Sequence, residues 1–207
     1  MPIDGAGPAR LVERFAQGDA PCAIERTTII EAPIAIEING LAYAVMMATP
    51  ADLDDFALGF CLSEQLIDAP VQFESCEANE LDRGWLLRIT LTSDCAAPLV
   101  ERARLRLTEG SCGLCGIESL DQVLRPLTRV TAILDVSDAA LFAAGATLRD
   151  RQPLGQATGA AHAAAFCRTD GTIVTVREDV GRHNAFDKLI GALARAGVPP
   201  AEGFVLL

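Results

Sequence analysis

The chain has 207 residues, of which 50% are hydrophobic and 22% are charged, a composition that excludes a disordered protein and allows one large or two small globular domains. Its 17 basic and 28 acidic residues give a net charge of −11, which excludes nucleic acids and anionic membranes as expected partners because like charges repel. An anionic ligand would therefore need a local basic site.

The N-terminal segment MPIDGAGPARLVERF lacks the apolar core of a signal peptide, and no apolar run approaches the ~18 residues of a membrane span. The seven cysteines are an odd number and, apart from one pair, lie far apart, which predicts free thiols in a reducing cytoplasm. The chain stops at the apolar run GFVLL, residues 203–207. This run predicts a buried strand and, because termini tend to be polar, a missing last segment.

In chain order, the first predicted element is a β-hairpin over residues 28–47 that turns at Asn39-Gly40, the strongest two-residue turn signal. A helix is predicted next. Thr49 is expected as its N-cap and Pro50 at its first helical position, and apolar residues continue at helical spacing to Phe60.

The middle of the chain is less regular. Residues 85–92, WLLRITLT, predict a strand, whereas residues 98–107 fit a helix or a strand equally well. Apolar spacing over residues 117–124 predicts a short amphipathic helix that ends at Pro126.

The C-terminal part has clearer signals. A helix is predicted over residues 137–149, a second β-hairpin over residues 162–177, and a strong amphipathic helix around residues 186–193 that Gly197 closes. Together these elements predict an α/β protein. We place the domain boundary at the glycine-rich cysteine loop, between an N-terminal α+β domain, residues 1–110, and a C-terminal α/β domain, residues 111–207.

That loop, GSCGLCGI, contains Cys112 and Cys115, and several interpretations of the pair stay open. A structural zinc site would need two more ligands, but the other cysteines and the two histidines are isolated, so no metal is expected. A thioredoxin-like couple usually follows an early strand in a βαβ domain. Unreactive structural thiols would not need the flanking glycines, which cost conformational entropy and leave the sulfurs uncovered.

The remaining interpretation of the pair is nucleophilic sulfur chemistry. The positive end of the helix predicted from residue 117 would favour the thiolate. A thiolate can take the outer sulfur of a persulfide and carry it as its own persulfide, and a second nearby thiol can share, release or protect that sulfur.

The cluster REDVGRHNAFDK, residues 177–188, lies between a predicted strand and the start of a predicted helix, where α/β folds bind anions on free backbone N–H groups. We expect Gly181, Arg182, His183 and Asn184 to contact an anionic ligand there. Arg182 can act as a bidentate phosphate donor.

Structural roles compete with ligand contact in this cluster. Asp187 shares a helix face with His183 and could orient its ring, but for Asp187 and Lys188 a purely structural role is at least as well supported. The alternative for the loop is that Asp179 caps the helix while the basic side chains brace it. His162 fits a core histidine or a residue of the same cleft equally well.

Three motifs in this order, SCGLCGIESL, TGAAHAAAF and REDVGRHNAFDKLIG, resemble the signatures of the FdhD family, the sulfurtransferases needed to make active formate dehydrogenases. The stretches IAIEINGLAYAVMMATP and LGFCLSEQLI resemble the same family, so the likeness runs from about residue 29 to the end of the chain.

The resemblance implies a function and partners. Cys112 would carry a persulfide taken from a cysteine desulfurase, with Cys115 as its partner, and the sulfur would pass to the molybdenum of a bis-pyranopterin guanine dinucleotide cofactor for apo-formate dehydrogenase. It also implies a homodimer and a cytidine-deaminase-like C-terminal domain that continues past Leu207 in family members, into a segment that helps hold the cofactor.

The deaminase likeness does not extend to zinc chemistry. Zinc deaminases need an H-x-E motif followed by P-C-x-x-C, but neither histidine here is followed by glutamate at that spacing, and the cysteine pair precedes both. Two functions fit these motifs. One is a sulfurtransferase, and the other is a non-catalytic chaperone that binds and shields the molybdenum cofactor.

Overall fold

The computed structural model describes residues 3–18, 20–95 and 129–207, which form strands and helices in mixed order, so the α/β class is confirmed. The strands are β1 Ala6–Arg14, β2 Cys22–Ile29, β3 Ala32–Ile38, β4 Leu41–Ala48, β5 Phe73–Leu81, β6 Gly84–Leu91, β7 His162–Arg168, β8 Ile173–Asp179 and β9 Gly203–Leu206. The helices are α1 Leu53–Ser63, α2 Asp138–Leu148, α3 Pro153–Thr158 and α4 Arg182–Ala196. The elements predicted over residues 98–107 and 117–124 lie outside the described residues.

The described strands form three sheets. Strands β1 and β2 make an antiparallel ribbon that the sequence did not predict, and a four-stranded sheet has the order β4-β3-β6-β5 with β3 parallel to β6. The first predicted hairpin is confirmed. Asn39 and Gly40 both have positive φ, 49° and 77°, as the tight turn between β3 and β4 requires.

The third sheet has the order β8-β7-β9 and confirms the second predicted hairpin. The apolar run at residues 203–207 forms the predicted strand, β9, which pairs antiparallel with β7. It is not fully buried, because β9 lies at the sheet edge and Val205 is 40% exposed.

Helices α1 and α4 pack against each other between the four-stranded and three-stranded sheets. The apolar face of α1 contacts the isoleucines of β3, while Leu189 of α4 packs on Phe166 of β7. A Cβ on Gly59 would lie 1.7 Å from the Asp187 carbonyl oxygen, and one on Gly191 would lie 1.9 Å from the Asp55 carbonyl oxygen. Glycine at both positions therefore lets the two helix backbones touch.

The predicted start of α1 is wrong. The helix begins at Leu53 with Asp52 at its N-cap, so Thr49 does not cap it and Pro50 precedes its first turn. The hydroxyl of Thr49 instead accepts a hydrogen bond from the Val180 N–H at 3.0 Å. A partner 131 positions away along the chain has displaced the local capping interaction.

The predicted boundary at residue 110 falls outside the described residues, so the two domains stay a prediction. The described parts on either side of it are joined by the α1–α4 contact and by ion pairs. Arg177 of β8 binds the carboxylate of Asp55 in α1 through Nε and Nη2, at 2.8 and 2.6 Å. Among the described helices, none is long and apolar enough to cross a membrane.

Candidate functional site

Both members of the cysteine pair, Cys112 and Cys115, lie outside the described residues. The cysteines that the structure does describe are free, namely Cys22, Cys61, Cys76, Cys95 and Cys167. Burial raises the pKa of the Cys61 and Cys167 thiols, and it raises that of Cys76 to about 12. These three thiols stay protonated near neutral pH, so they are poor nucleophiles.

The predicted anion site is the start of α4, which follows directly from the end of β8. Gly181 is the N-cap residue, and the backbone N–H groups of the first helical turn have no intrahelical acceptor. Arg182 and His183 are both exposed, and within the described residues neither forms a hydrogen bond or an ion pair. The bracing role considered for them is therefore not observed in this part of the chain, and both side chains are exposed to solvent at the start of the helix. We call residues 181–184 the α4 mouth.

A buried ion pair lies behind the α4 mouth. The Lys188 ammonium and the Asp179 carboxylate are both 0% exposed and lie 2.6 Å apart. Lys188 also donates to the carbonyl oxygens of Thr49 and Glu178, at 2.9 and 3.3 Å, so each of its three N–H groups has an acceptor. Burial lowers the pKa of Lys188, whereas the Asp179 charge opposes this change. The structural role considered for Lys188 is confirmed.

Asp179 organises the loop rather than capping α4 as its N-cap residue. Its Oδ1 accepts from the Gly181 N–H at 2.8 Å and from the Asn184 side-chain amide at 3.0 Å. Its Oδ2 accepts from the Thr49 N–H at 3.0 Å. The carboxylate is thus fully occupied inside the protein and does not present a free negative charge to an incoming anion.

The two remaining predicted site residues, His162 and Asn184, also lie at or beside the α4 mouth, but one is exposed and the other is buried. His162, the first residue of β7, is exposed and pairs across the sheet with Asp179, so it is not a core histidine and lies beside the α4 mouth. Asn184 is only 5% exposed, and its amide group donates to the Met47 carbonyl oxygen at 2.8 Å as well as to Asp179. Its side-chain N–H groups are therefore used internally, which leaves its backbone N–H for a ligand.

Other charged groups near the α4 mouth were not predicted from the sequence. The buried Glu178 carboxylate accepts from the N–H groups of Leu154 and Gly155 at the start of α3, and burial raises its pKa. Arg26 of β2 donates to the Thr158 carbonyl oxygen at 3.4 Å, which places a further cation at the end of α3, four positions before His162 in the sequence. Arg26 carried no motif signal, because it reaches this region only through the packing of the ribbon on α3.

The orientation of His183 by Asp187, which was weighed against a structural role for Asp187, is not observed among the described residues. Although the two residues are four apart on α4, Asp187 accepts a hydrogen bond from the Ser63 hydroxyl of α1 at 2.6 Å, and nothing joins it to His183 among the described residues. Burial in the helix contact raises the Asp187 pKa to about 6, and the nearby Glu64 adds to this rise.

Replacing Asp187 with asparagine is expected to stabilise the protein at pH 8. Because the folded-state pKa exceeds the unfolded value, the stabilising contribution of the protonated carboxyl is present at low pH and lost as pH rises through about 6. Asparagine stays neutral and still accepts from Ser63, so we expect a gain on the order of 1–2 kcal/mol at pH 8 that shrinks towards pH 5. Urea denaturation at both pH values measures it.

The control for this comparison is Asp170→Asn. Hydrogen bonds from Thr172 lower the pKa of the exposed Asp170, so its neutralisation should give no gain at pH 8. An Asp187→Asn variant that is no more stable than the original chain at pH 8 would contradict the raised pKa.

A groove lies away from the α4 mouth. A groove of about 470 Å³ near the C-terminal end of α4 is lined by Asp54, Leu58, Pro70, Val71, Phe73, Cys76, Ala194 and Arg195. Arg195 is thirteen positions beyond Arg182, about 20 Å along the helix axis. Within the described ranges, no group of three or more side chains is arranged to hold a metal ion. The expectation that the protein has no resident metal stays a prediction.

Comparison with known proteins gives consistent matches. The sequence profile of the FdhD/NarQ family matches residues 29–207. The chain is 43% identical over 177 residues to the Sulfur carrier protein FdhD of Bordetella petrii, covering 86% of this chain and 64% of that protein. It is 41% identical over 206 residues to the Sulfur carrier protein FdhD of Xanthomonas campestris pv. campestris strain B100, covering 100% of this chain and 73% of that protein. The chain thus spans 64% and 73% of the length of these two relatives.

A solved structure supports the fold. A crystal structure described as that of a formate dehydrogenase accessory protein from Desulfotalea psychrophila superposes with a TM-score of 0.67 at 20% identity. The superposition covers 97% of this chain and 73% of the other. At this level of identity the likeness concerns the fold alone.

Proposed function

Because this chain belongs to the FdhD/NarQ family, we propose that it is a sulfurtransferase that carries persulfide sulfur from a cysteine desulfurase to a molybdenum cofactor, and so serves the maturation of formate dehydrogenase. The observation that carries the proposal is the family match over residues 29–207, which includes the glycine-flanked pair Cys112 and Cys115. The proposal includes a cytoplasmic location, a homodimer and a cytidine-deaminase-like C-terminal half.

The first step of the proposed chemistry is an exchange of sulfur bonds. The Cys112 thiolate attacks the outer sulfur of the desulfurase persulfide, a new S–S bond forms on Cys112, and the desulfurase cysteine leaves as a thiolate. The described thiols of Cys61, Cys76 and Cys167, with their raised pKa values, are poorly suited to this attack. Cys115 would share, release or protect the sulfur.

The α4 mouth is the proposed contact for the phosphate groups of the cofactor, which is the substrate that receives the sulfur. Exposed Arg182 and His183 and the free N–H groups of the first helical turn suit an anion, and His162 lies beside them. In a chain with a net charge of −11, such local donors are needed to attract a phosphate.

Mass spectrometry tests the sulfurtransferase proposal directly. After incubation with a cysteine desulfurase and cysteine, we expect a mass increase of one sulfur atom, removed by dithiothreitol and located on the peptide that contains Cys112. A non-catalytic chaperone would bind the cofactor without this adduct. A chain that never gains sulfur would therefore favour the chaperone alternative.

Replacing Arg182 with alanine is expected to weaken the binding of GDP, a probe for the dinucleotide cofactor, roughly tenfold to a hundredfold. The guanidinium is exposed at the α4 mouth, and a charge-assisted hydrogen bond contributes about 1.5–3 kcal/mol. Binding of guanosine should not change, because the guanidinium addresses phosphate rather than the base. Titration calorimetry with both ligands measures the difference.

Arg168→Ala is the matched control for Arg182→Ala. Arg168 is also exposed, but it lies at the end of β7 opposite His162, about 20 Å along the strand. It should bind GDP as the original chain does. Equal GDP affinity in the Arg182→Ala variant would show that Arg182 does not contact the phosphates.

A further inference from the structure

The loop before α4 is held by Thr49, a residue from the N-terminal part of the chain. Thr49 follows β4 and is completely buried, and each of its polar groups contacts the segment that runs from the end of β8 into α4. Its N–H donates to Asp179, its hydroxyl accepts from the Val180 N–H, and its carbonyl oxygen accepts from Lys188. Each of these partners lies at least 130 positions away in the sequence.

These contacts decide which N–H groups the loop presents. The Val180 N–H is used by the Thr49 hydroxyl, and the Gly181 N–H is used by Asp179. The next three N–H groups, those of residues 182–184, begin α4 and are the ones without an intrahelical acceptor. The direction in which they point therefore depends on where Thr49 holds the loop.

We propose that Thr49 is a positioning residue that holds the α4 mouth in its anion-binding conformation, although its own side chain does not contact the ligand. This inference rests on the proposed function, which places the phosphate groups at that mouth. The N-terminal part of the chain thus sets the geometry of a site whose ligand contacts belong to the C-terminal part.

Preorganisation is the physical basis of this role. A binding loop that is already held in its bound geometry does not lose conformational freedom when the ligand arrives, so the ligand binds more tightly. Without the hydroxyl of Thr49, the Val180 N–H would lose the acceptor that it has in the described part of the chain. The loop would then gain by turning this group towards water, which would also rotate the first turn of α4.

The test uses Thr49→Val, which removes the hydroxyl at nearly constant side-chain size, and Thr49→Ser, which restores it. We expect the valine variant to bind GDP about tenfold more weakly than the original chain in titration calorimetry, with the serine variant close to the original. Ile34→Val is the matched control. It removes a buried methyl group from the core of the four-stranded sheet and costs a comparable amount of stability without touching the loop.

Hydrogen–deuterium exchange without ligand provides a second readout. In the valine variant, the amides of residues 180–185 should exchange faster by more than its overall loss of stability explains, and Ile34→Val should not show this local effect. Thr49→Ser should exchange as the original chain does.

The outcomes separate the two proposals. If the original chain does not bind GDP, the proposed phosphate contact is wrong, and the exchange data alone decide whether Thr49 holds the loop. If the original chain binds GDP and Thr49→Val binds it equally well, Thr49 has no positioning role. Equal weakening in Thr49→Val and Thr49→Ser would also overturn the inference, because the hydroxyl could not then be the cause.

Discussion

Replacing Lys188 with methionine is expected to lower the free energy of unfolding by about 3–5 kcal/mol, because it leaves the Asp179 carboxylate buried without its counter-charge. Methionine keeps most of the apolar stem, so the loss comes from the ammonium and its hydrogen bonds to Asp179 and to the Thr49 and Glu178 carbonyl oxygens. Urea denaturation followed by circular dichroism measures the change.

Two further variants separate the buried charge from other effects of this change. The double variant Lys188→Met with Asp179→Asn removes both charges and should recover part of the lost stability. Arg195→Met breaks ion pairs with Asp54 and Asp55 at a side chain that is 52% exposed, so its loss should stay under about 1 kcal/mol. A Lys188→Met loss as small as that of Arg195→Met would show that the buried pair adds little.

Local signals in the sequence were sufficient for much of the fold. The Asn39-Gly40 turn predicted the first hairpin because only residues that tolerate positive φ suit both of its positions. The apolar spacing around Leu189 predicted α4, and Gly197 ends the helix with a φ of 64°. Such signals depend on residues that are close in sequence, so they predict local structure without knowledge of the tertiary contacts.

The sequence did not reveal contacts that depend on packing between separate elements of the fold. Thr49 has the chemistry of an N-cap, but Val180 and Asp179 take its polar groups. Lys188 is a charged residue in an amphipathic helix, yet it is completely buried because Asp179 and two carbonyl oxygens surround its ammonium. Local pattern gives no information about either partner.

Only part of the candidate site was predicted, because the sequence motif contains local information and does not contain the packing between elements. The motif placed Arg182 and His183 correctly at the exposed start of a helix, since a strand–loop–helix pattern is a local feature. It did not show that Asn184 turns inward to the Met47 carbonyl oxygen or that Asp187 turns to Ser63. These orientations depend on how β4 and α1 pack against α4, which the motif does not encode.

Replacing Cys112 with alanine is expected to abolish persulfide formation while leaving the fold intact. The residue lies in a glycine-flanked stretch, SCGLCG, before a predicted helix whose positive end would favour the thiolate. Thiolate is the attacking species, and near neutral pH its fraction falls about tenfold for each unit by which a thiol pKa rises. With a pKa of about 12, Cys76 would present very little thiolate at pH 7.5.

Cys76→Ala is therefore the matched control, a cysteine-to-alanine change at a half-buried thiol that should still allow the chain to gain sulfur. Circular dichroism should show the same fold for both variants, and mass spectrometry after incubation with a desulfurase and cysteine should show the sulfur adduct only in Cys76→Ala. Cys115→Ala should be impaired no more than Cys112→Ala, because a partner thiol acts after the sulfur has been captured. A Cys112→Ala variant that still accepts sulfur and restores full activity to a client formate dehydrogenase would remove Cys112 as the carrier, whereas loss of the adduct in Cys76→Ala would place the carrier in the groove beside α4.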